Sequence, residues 1–111
     1  MHGRESDWKK FTKLKKIALE RFCKSVLDES RVCCDREDLT AYERYSDIYK
    51  IIQKRDKELG RAFDGHSRSR ADQQLRDMYN KGLVTDDELS KFSEETQNLV
   101  TLRFTHDTGV T

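Results

Sequence analysis

The sequence has 111 residues, the size of one domain, so we expect residues 1–111 to form a single unit. Charged residues make up 39% of the chain, but 22 Lys and Arg against 21 Asp and Glu leave a net charge of only +1. No apolar run is long enough to cross a bilayer, and the N-terminus is charged, so we expect neither a membrane-spanning helix nor a signal peptide.

The first predicted helix runs from about Asp7 to Ser30. Its apolar residues recur at spacings of three and four, which places them on one face of a helix: Trp8, Phe11, Ala18, Leu19, Phe22 and Val26. The other side of this helix is basic, with Lys9, Lys10, Lys13, Lys16, Arg21 and Lys24.

The second predicted helix begins at Thr40, since a Thr followed three residues later by Glu43 can form a capping box. Alternatively, Asp35 or Asp38 caps the helix one turn earlier. Asp64 and Gly65 end this helix. Its apolar face consists of Ala41, Tyr45, Ile48, Tyr49, Ile52, Leu59 and Phe63.

Two shorter helices are predicted in the rest of the chain. Ser67 or Ser69 can cap the third helix, and Gly82 is a good stop for it because a residue just past a helix end often needs a positive φ. The inward residues of this helix are Ala71, Leu75, Met78 and Tyr79. Thr85 and Glu88 form a second capping box, which opens a fourth helix with Leu89, Phe92, Leu99 and Val100 on one face.

No strand pattern is present, so we predict an all-α fold that resembles a four-helix bundle. In this arrangement a long antiparallel hairpin of helices 1 and 2 packs against a shorter hairpin of helices 3 and 4. Residues 1–6 and 104–111 carry no helical pattern, and we expect both segments to be frayed.

Two charges interrupt the apolar faces of the first two helices. Lys15 lies between Phe11 and Phe22, and Asp56 lies between Ile52 and Leu59. An antiparallel hairpin whose turn is centred between residues 35 and 36 would bring Lys15 and Asp56 to the same level as an interhelical ion pair, which would serve to fix the register. Alternatively, the Lys15 ammonium group extends to the edge of the interface and Asp56 faces solvent.

The sequence carries no recognisable catalytic or metal site. His and Cys are scattered without C-x-x-C or H-x-x-x-H spacing, and no nucleophile and base stand at a usable distance. We therefore expect no enzyme activity, metal or cofactor. Cys23, Cys33 and Cys34 are expected to be reduced thiols of a cytoplasmic protein, although adjacent Cys33 and Cys34 could form a strained disulfide.

The basic side of helix 1 is a candidate nucleic-acid interface. Residues 1–24 hold eight Lys and Arg against three Asp and Glu, and such a surface attracts phosphate backbones. The alternative is an ordinary solvated helix face, since dedicated DNA-binding proteins usually carry a larger basic excess. The same helix could lie on an anionic membrane, but its apolar side matches helix 2, so we expect no membrane association.

The small number of large apolar residues favours self-association, because cores of this size are marginal. A homodimer could bury the side of helix 2 that carries Tyr42, Tyr45 and Tyr49, since Tyr is favoured at interfaces. The hairpin of helices 3 and 4 is the other candidate surface, and a modestly stable monomer is the alternative to both.

Residues 75–99, LRDMYNKGLVTDDELSKFSEETQNL, resemble a bacterial helical hairpin that recurs in short oligomerisation domains. The similar positions are Leu75, Gly82, Leu83, Val84, Thr85, Glu88 and Leu89. The whole chain, including ALERFCKSVLDES and YSDIYKIIQKRDKELGRAF, is similar to small bacterial all-helical proteins of the kind encoded in mobile, integron-type gene cassettes. This resemblance implies a bacterial cytoplasmic setting and favours an interaction role through an unidentified protein partner or a second copy.

Overall fold

A computed structural model describes residues 1–101, which form five helical segments and no strand. The predicted all-α class is therefore confirmed for this part of the chain. The segments are α1 (Glu5–Cys34), α2 (Ala41–Phe63), α3 (Arg68–Asn80), α4 (Asp86–Ser90) and α5 (residues 94–101). The tail that we expected to be frayed, residues 104–111, lies outside the described residues.

Helices α1 and α2 pack against each other in opposite directions. Near their connection, the thiol of Cys33 lies 3.7 Å from the carbonyl oxygen of Arg44, and at the far end of α2 the rings of Phe22 and Phe63 are 6.0 Å apart. The capping box at Thr40 and Glu43 is present as predicted, with both reciprocal hydrogen bonds.

The predicted register of this hairpin is wrong, and with it the ion pair between Lys15 and Asp56. The Lys15 ammonium group donates instead to the carbonyl oxygen of Gly65 at 2.9 Å and to Gln74 Oε1 at 3.3 Å, whereas Asp56 is exposed. The reason is that α1 continues past Ser30 to Cys34. The turn therefore lies later in the chain, and each α1 residue faces a later residue of α2.

The core lies at the end of the hairpin that is remote from the turn, where α3, α4 and α5 contribute to it. It includes Phe11 and Phe22 of α1, Leu75 and Met78 of α3, and several residues of the last two helices. Met1 also belongs to this core with 1% of its surface exposed, so the expectation of a frayed segment 1–6 is wrong at its first residue.

The single fourth helix that we predicted is divided in two between Lys91 and Ser93. Its apolar residues Leu89, Phe92 and Val100 are all buried, as the helical spacing indicated. The division occurs because Asp7, which is buried with 2% exposed, receives hydrogen bonds from Ser93 and Thr96 at the start of α5. A contact distant in sequence thus starts a new helix here.

Most of α2 lies outside the core. Only Ala62 and Phe63, at its C-terminal end, are buried. The radius of gyration is 17.2 Å, against about 13 Å for a compact domain of this length, because the turn end of the hairpin extends beyond α3, α4 and α5.

Candidate functional site

One side of the extended hairpin is an apolar surface, which we call the tyrosine face. Helix α2 contributes Tyr42, Tyr45, Tyr49 and Ile52, whose exposed fractions are 77%, 69%, 56% and 44%, and α1 contributes Leu27 with 52% exposed. The α2 residues recur at spacings of three, four and three, which places them on one helix face. Single exposed apolar residues are ordinary, but a contiguous group marks an interaction surface.

A shallow groove of about 240 Å³ runs between the two helices and adjoins the tyrosine face at Leu27 and Ile52. Cys23 and Leu27 of α1 and Ile52 and Leu59 of α2 line it. At its edge the guanidinium group of Arg55 lies 4.8 Å from the centre of the Phe22 ring, and it also contacts Ser25 and Glu58. The apolar residues of the groove suit an apolar side chain, and the charged residues Arg55 and Asp56 also line it.

The hairpin of helices 3 and 4, which the sequence also suggested for self-association, packs its apolar residues into the core of the same chain. In the segment 75–99, the side chains of Leu75, Leu83, Val84 and Leu89 are all at most 7% exposed. Gly82 has φ +76° directly after the end of α3, as its predicted role as a helix stop requires. The tyrosine face is therefore the larger apolar surface that remains accessible in the described part of the chain.

The basic face of α1 is divided by its internal contacts. Arg21 pairs with both carboxylate oxygens of Glu88 and also donates to the carbonyl oxygen of Leu83. Lys10 donates to the carbonyl oxygen of Lys91, and Lys24 pairs with Asp28. Of the six candidate residues, Lys9, Lys10, Lys13 and Lys16 are exposed and make no ion pair among residues 1–101.

A separate group of basic residues surrounds the connection between α2 and α3, and we call it the basic end. It consists of Lys15, Lys16, His66 and Arg70. Burial lowers the pKa of Lys15, Arg70 lowers it further, and Asp64 opposes this effect. Burial and the charges of Lys15 and Lys16 lower the pKa of His66. At Lys15 the repulsion from Arg70 therefore exceeds the attraction of Asp64.

The basic end and the tyrosine face lie on the same side of the hairpin. A depression of about 290 Å³ is lined by Lys15, Lys16, Leu19, Phe63 and two further residues, Thr12 and His66. Leu19 is followed at intervals of four residues by Cys23 and Leu27, which line the groove, so the depression and the groove follow the same seam between α1 and α2.

All three cysteines are free thiols, so the adjacent pair Cys33 and Cys34 does not form the strained disulfide. Cys33 is buried, Cys34 is exposed and Cys23 is half-buried in the groove. Residues 1–101 contain no group of His, Cys, Asp and Glu arranged to hold a metal ion. Within the same residues, no helix combines the length and the apolar character needed to span a membrane.

Sequence reasoning identified the three tyrosines but missed Ile52 and Leu27 as their neighbours. Ile52 was assigned to the buried side of helix 2, because the spacing of the apolar residues alone does not show which part of a wide stripe the partner helix covers. The uninterrupted run from Tyr42 to Ile52 at helical spacing was the signal that could have indicated a second apolar surface.

No model of a protein family, no curated protein and no solved structure matches this chain.

Proposed function

We propose that this chain is a small non-enzymatic interaction module that forms a homodimer through the tyrosine face. The observation that carries this proposal is that α2, a helix of 23 residues, buries only its last two. Helices in proteins obtain most of their stability from packing an apolar face. The side of α2 that carries Tyr42, Tyr45 and Tyr49 stays more than half exposed within residues 1–101.

The area of the tyrosine face is comparable with the area that a protein domain buries when it binds a partner. The exposed parts of its three tyrosines, Ile52 and Leu27 amount to roughly 500 Å², given the 150–250 Å² that an aromatic side chain can bury. A stable protein interface buries about 800 Å² on each partner. The tyrosine face and the polar residues at its rim together reach this size, and Tyr is among the residues that contribute most to binding energy.

A second copy of this chain can cover the tyrosine face, and no other protein is then needed as the partner. Two hairpins packed face to face make a four-helix arrangement in which each covers the other, and a two-fold interface uses the same patch on both copies. The free thiols of Cys23, Cys33 and Cys34 support a reducing compartment such as the bacterial cytoplasm as the setting.

The test is the molecular mass in solution, measured by sedimentation equilibrium over a wide concentration range. We expect the wild type to have twice the mass of the chain, and the variant Tyr45→Ser/Tyr49→Ser to be a monomer. Ser and Tyr have similar helix propensities, so circular dichroism should show unchanged helix content. The matched control is Val32→Ser, because Val32 is 69% exposed but lies beside Lys50 and Ile51 at a different groove. A wild type that remains monomeric at every concentration would contradict the proposal.

A further inference from the structure

The two ends of the tyrosine face carry opposite charges. At the turn between α1 and α2, the segment 35–47 holds five carboxylates and two guanidinium groups, and we call it the acidic tip. Arg36 pairs with Asp38, and Glu43 belongs to the capping box. Asp35 and Glu37 are exposed and make no ion pair within residues 1–101.

At the opposite end of the face lies the basic end. Lys16 is exposed, and neither Lys16 nor Arg70 forms an ion pair within the described residues. Lys15 is turned inward onto the carbonyl oxygen of Gly65. Lys16 and Arg70 therefore present positive charge that no ion pair within residues 1–101 neutralises.

The seam between α1 and α2 is apolar on both sides of its midpoint, with the tyrosines towards the tip and Leu59 of the groove towards the basic end. Ile52 is the middle residue of α2, which begins at Ala41 and ends at Phe63. With a rise of about 1.5 Å per residue, each end of α2 lies roughly 16 Å from Ile52. A two-fold axis through Ile52, perpendicular to the helix, would therefore exchange the position of the tip with that of the basic end.

Resting on the proposed homodimer, we propose that two copies pack antiparallel about a two-fold axis near Ile52, with the acidic tip of each copy against the basic end of the other. The tyrosines of each copy then lie at the level of the other copy's groove, beside Leu59, and Asp35 and Glu37 of one copy face Lys16 and Arg70 of its partner at both ends. A surface with a negative end and a positive end is complementary to a copy of itself only when the two copies are antiparallel.

The parallel arrangement has the opposite electrostatics. It would place the two tips together and the two basic ends together, and like charges across an interface cost several kcal/mol. Either direction buries apolar area, because the tyrosines lie on the tip side of Ile52 and Leu59 of the groove lies on the other side. Charge therefore selects the direction of packing, while the tyrosine face supplies the buried area.

The decisive experiment reverses the charge of each end separately. The basic-end variant is Lys16→Glu/Arg70→Glu, and the tip variant is Asp35→Lys/Glu37→Lys. We expect each variant alone to raise the dimer Kd by at least roughly tenfold, because both of its contacts become repulsive. An equimolar mixture of the two variants should form heterodimers with a Kd close to that of the wild type, because both contacts of the mixed pair are again attractive.

The control for total charge is Lys50→Glu/Lys54→Glu, which changes the net charge by the same amount as the basic-end variant. Lys50 lies beside Val32 and Asp47 on another side of the hairpin, and Lys54 is exposed one turn further along α2. This variant should dimerise with the Kd of the wild type. Circular dichroism of all variants checks that each one folds.

Salt provides an independent readout of the same arrangement. Between about 0.01 M and 1 M salt the Debye length falls from about 30 Å to 3 Å, so the wild-type dimer should weaken if opposite charges face each other. A dimer that strengthens with salt, and whose single-end variants bind no more weakly than the wild type, would overturn the antiparallel arrangement and leave the homodimer intact. A monomeric wild type would instead overturn the homodimer itself.

A final experiment tests whether the basic end binds a nucleic acid and not a second copy of the chain. Labelled mixed-sequence DNA and RNA should not compete with dimerisation, which is followed by the mass of the complex. Binding of either oligonucleotide that dissociates the wild-type dimer, and that the variant Lys16→Glu/Arg70→Glu loses, would overturn the assignment of this end to a second copy.

Discussion

Asp7, near the start of α1, accepts a hydrogen bond from the backbone N–H of Ser93 at 2.9 Å, although the two residues are 86 positions apart. The hydroxyl groups of Ser93 and Thr96 donate to the same carboxylate. A negative charge at the N-terminus of a helix satisfies N–H groups that lack a partner within the helix. Asp7 therefore joins the first helix to the last described one and sets where α5 begins.

Replacement of Asp7 by Ala should lower the free energy of unfolding by about 2 kcal/mol, because three donors at a buried site lose their acceptor. Urea unfolding followed by circular dichroism at 222 nm measures this loss, with Glu94→Gln as the control. Glu94 is an exposed acid in the first turn of α5 and should change stability by much less. Equal losses in the two variants would show that Asp7 acts only through the charge of the helix end.

Local signals in the sequence were sufficient to predict most of the helix boundaries. The capping boxes at Thr40 and Thr85 and the stop at Gly82 all lie where the sequence placed them. Each depends on residues within four positions of one another, so their physics is contained in a short segment.

Contacts between distant residues were not predictable in this way. The register of the hairpin depends on where α1 ends, and that end lay four residues later than the pattern indicated. The break before α5 depends on Asp7, which no local pattern connects to Ser93. Likewise, the ion pair between Arg21 and Glu88 joins residues that are far apart in sequence. The basic residues of α1 therefore include one that stabilises the fold, which the sequence pattern did not indicate.

Acid should destabilise the fold through Glu88. The hydrogen bonds from Arg21, which outweigh the effect of burial, lower the pKa of this carboxyl from 4.5 to about 2. Because the pKa is lower in the folded protein than in the unfolded chain, ionised Glu88 stabilises the fold fully above the unfolded value, and this contribution is lost as the pH falls towards 2. The shift corresponds to roughly 3 kcal/mol at neutral pH, less the screening that a partly exposed group experiences.

The variant Glu88→Gln measures this contribution directly. At pH 7 it should unfold at a lower urea concentration than the wild type, and the difference between the two should shrink steadily below about pH 4. Asp87→Asn is the matched control, because Asp87 is 82% exposed and pairs only with Lys91 at the surface. A difference for Glu88→Gln that is the same at every pH would mean that packing, and not charge, explains it.

His66 should report on the proposed dimer through its titration. Burial and the cations Lys15 and Lys16 lower its pKa in the single chain, while Thr12 and the Trp8 ring are its uncharged neighbours. The acidic tip of a partner would bring carboxylates close to this ring and raise the pKa. NMR titration of the ring protons should therefore give a higher pKa in the wild-type dimer than in the monomeric Tyr45→Ser/Tyr49→Ser variant.

The titration also has an internal check. Lys16→Gln in the monomeric variant removes one repelling charge and should raise the pKa of His66 without any partner. An increase with Lys16→Gln but none on dimerisation would place the acidic tip away from His66 and contradict the antiparallel arrangement.

The thiol of Cys23 should become protected as the protein dimerises. Cys23 is half-buried in the groove beside Leu27 and Ile52, so a partner on the tyrosine face would cover it. We expect its rate of reaction with a thiol reagent, followed by mass spectrometry of the labelled peptide, to fall as the protein concentration passes the dimer Kd. In the monomeric Tyr45→Ser/Tyr49→Ser variant the rate should not depend on protein concentration. Buried Cys33 should react slowly in both proteins, since its protection comes from the hairpin itself. A Cys23 rate that stays constant while the wild type dimerises would mean that the dimer uses a surface other than the groove.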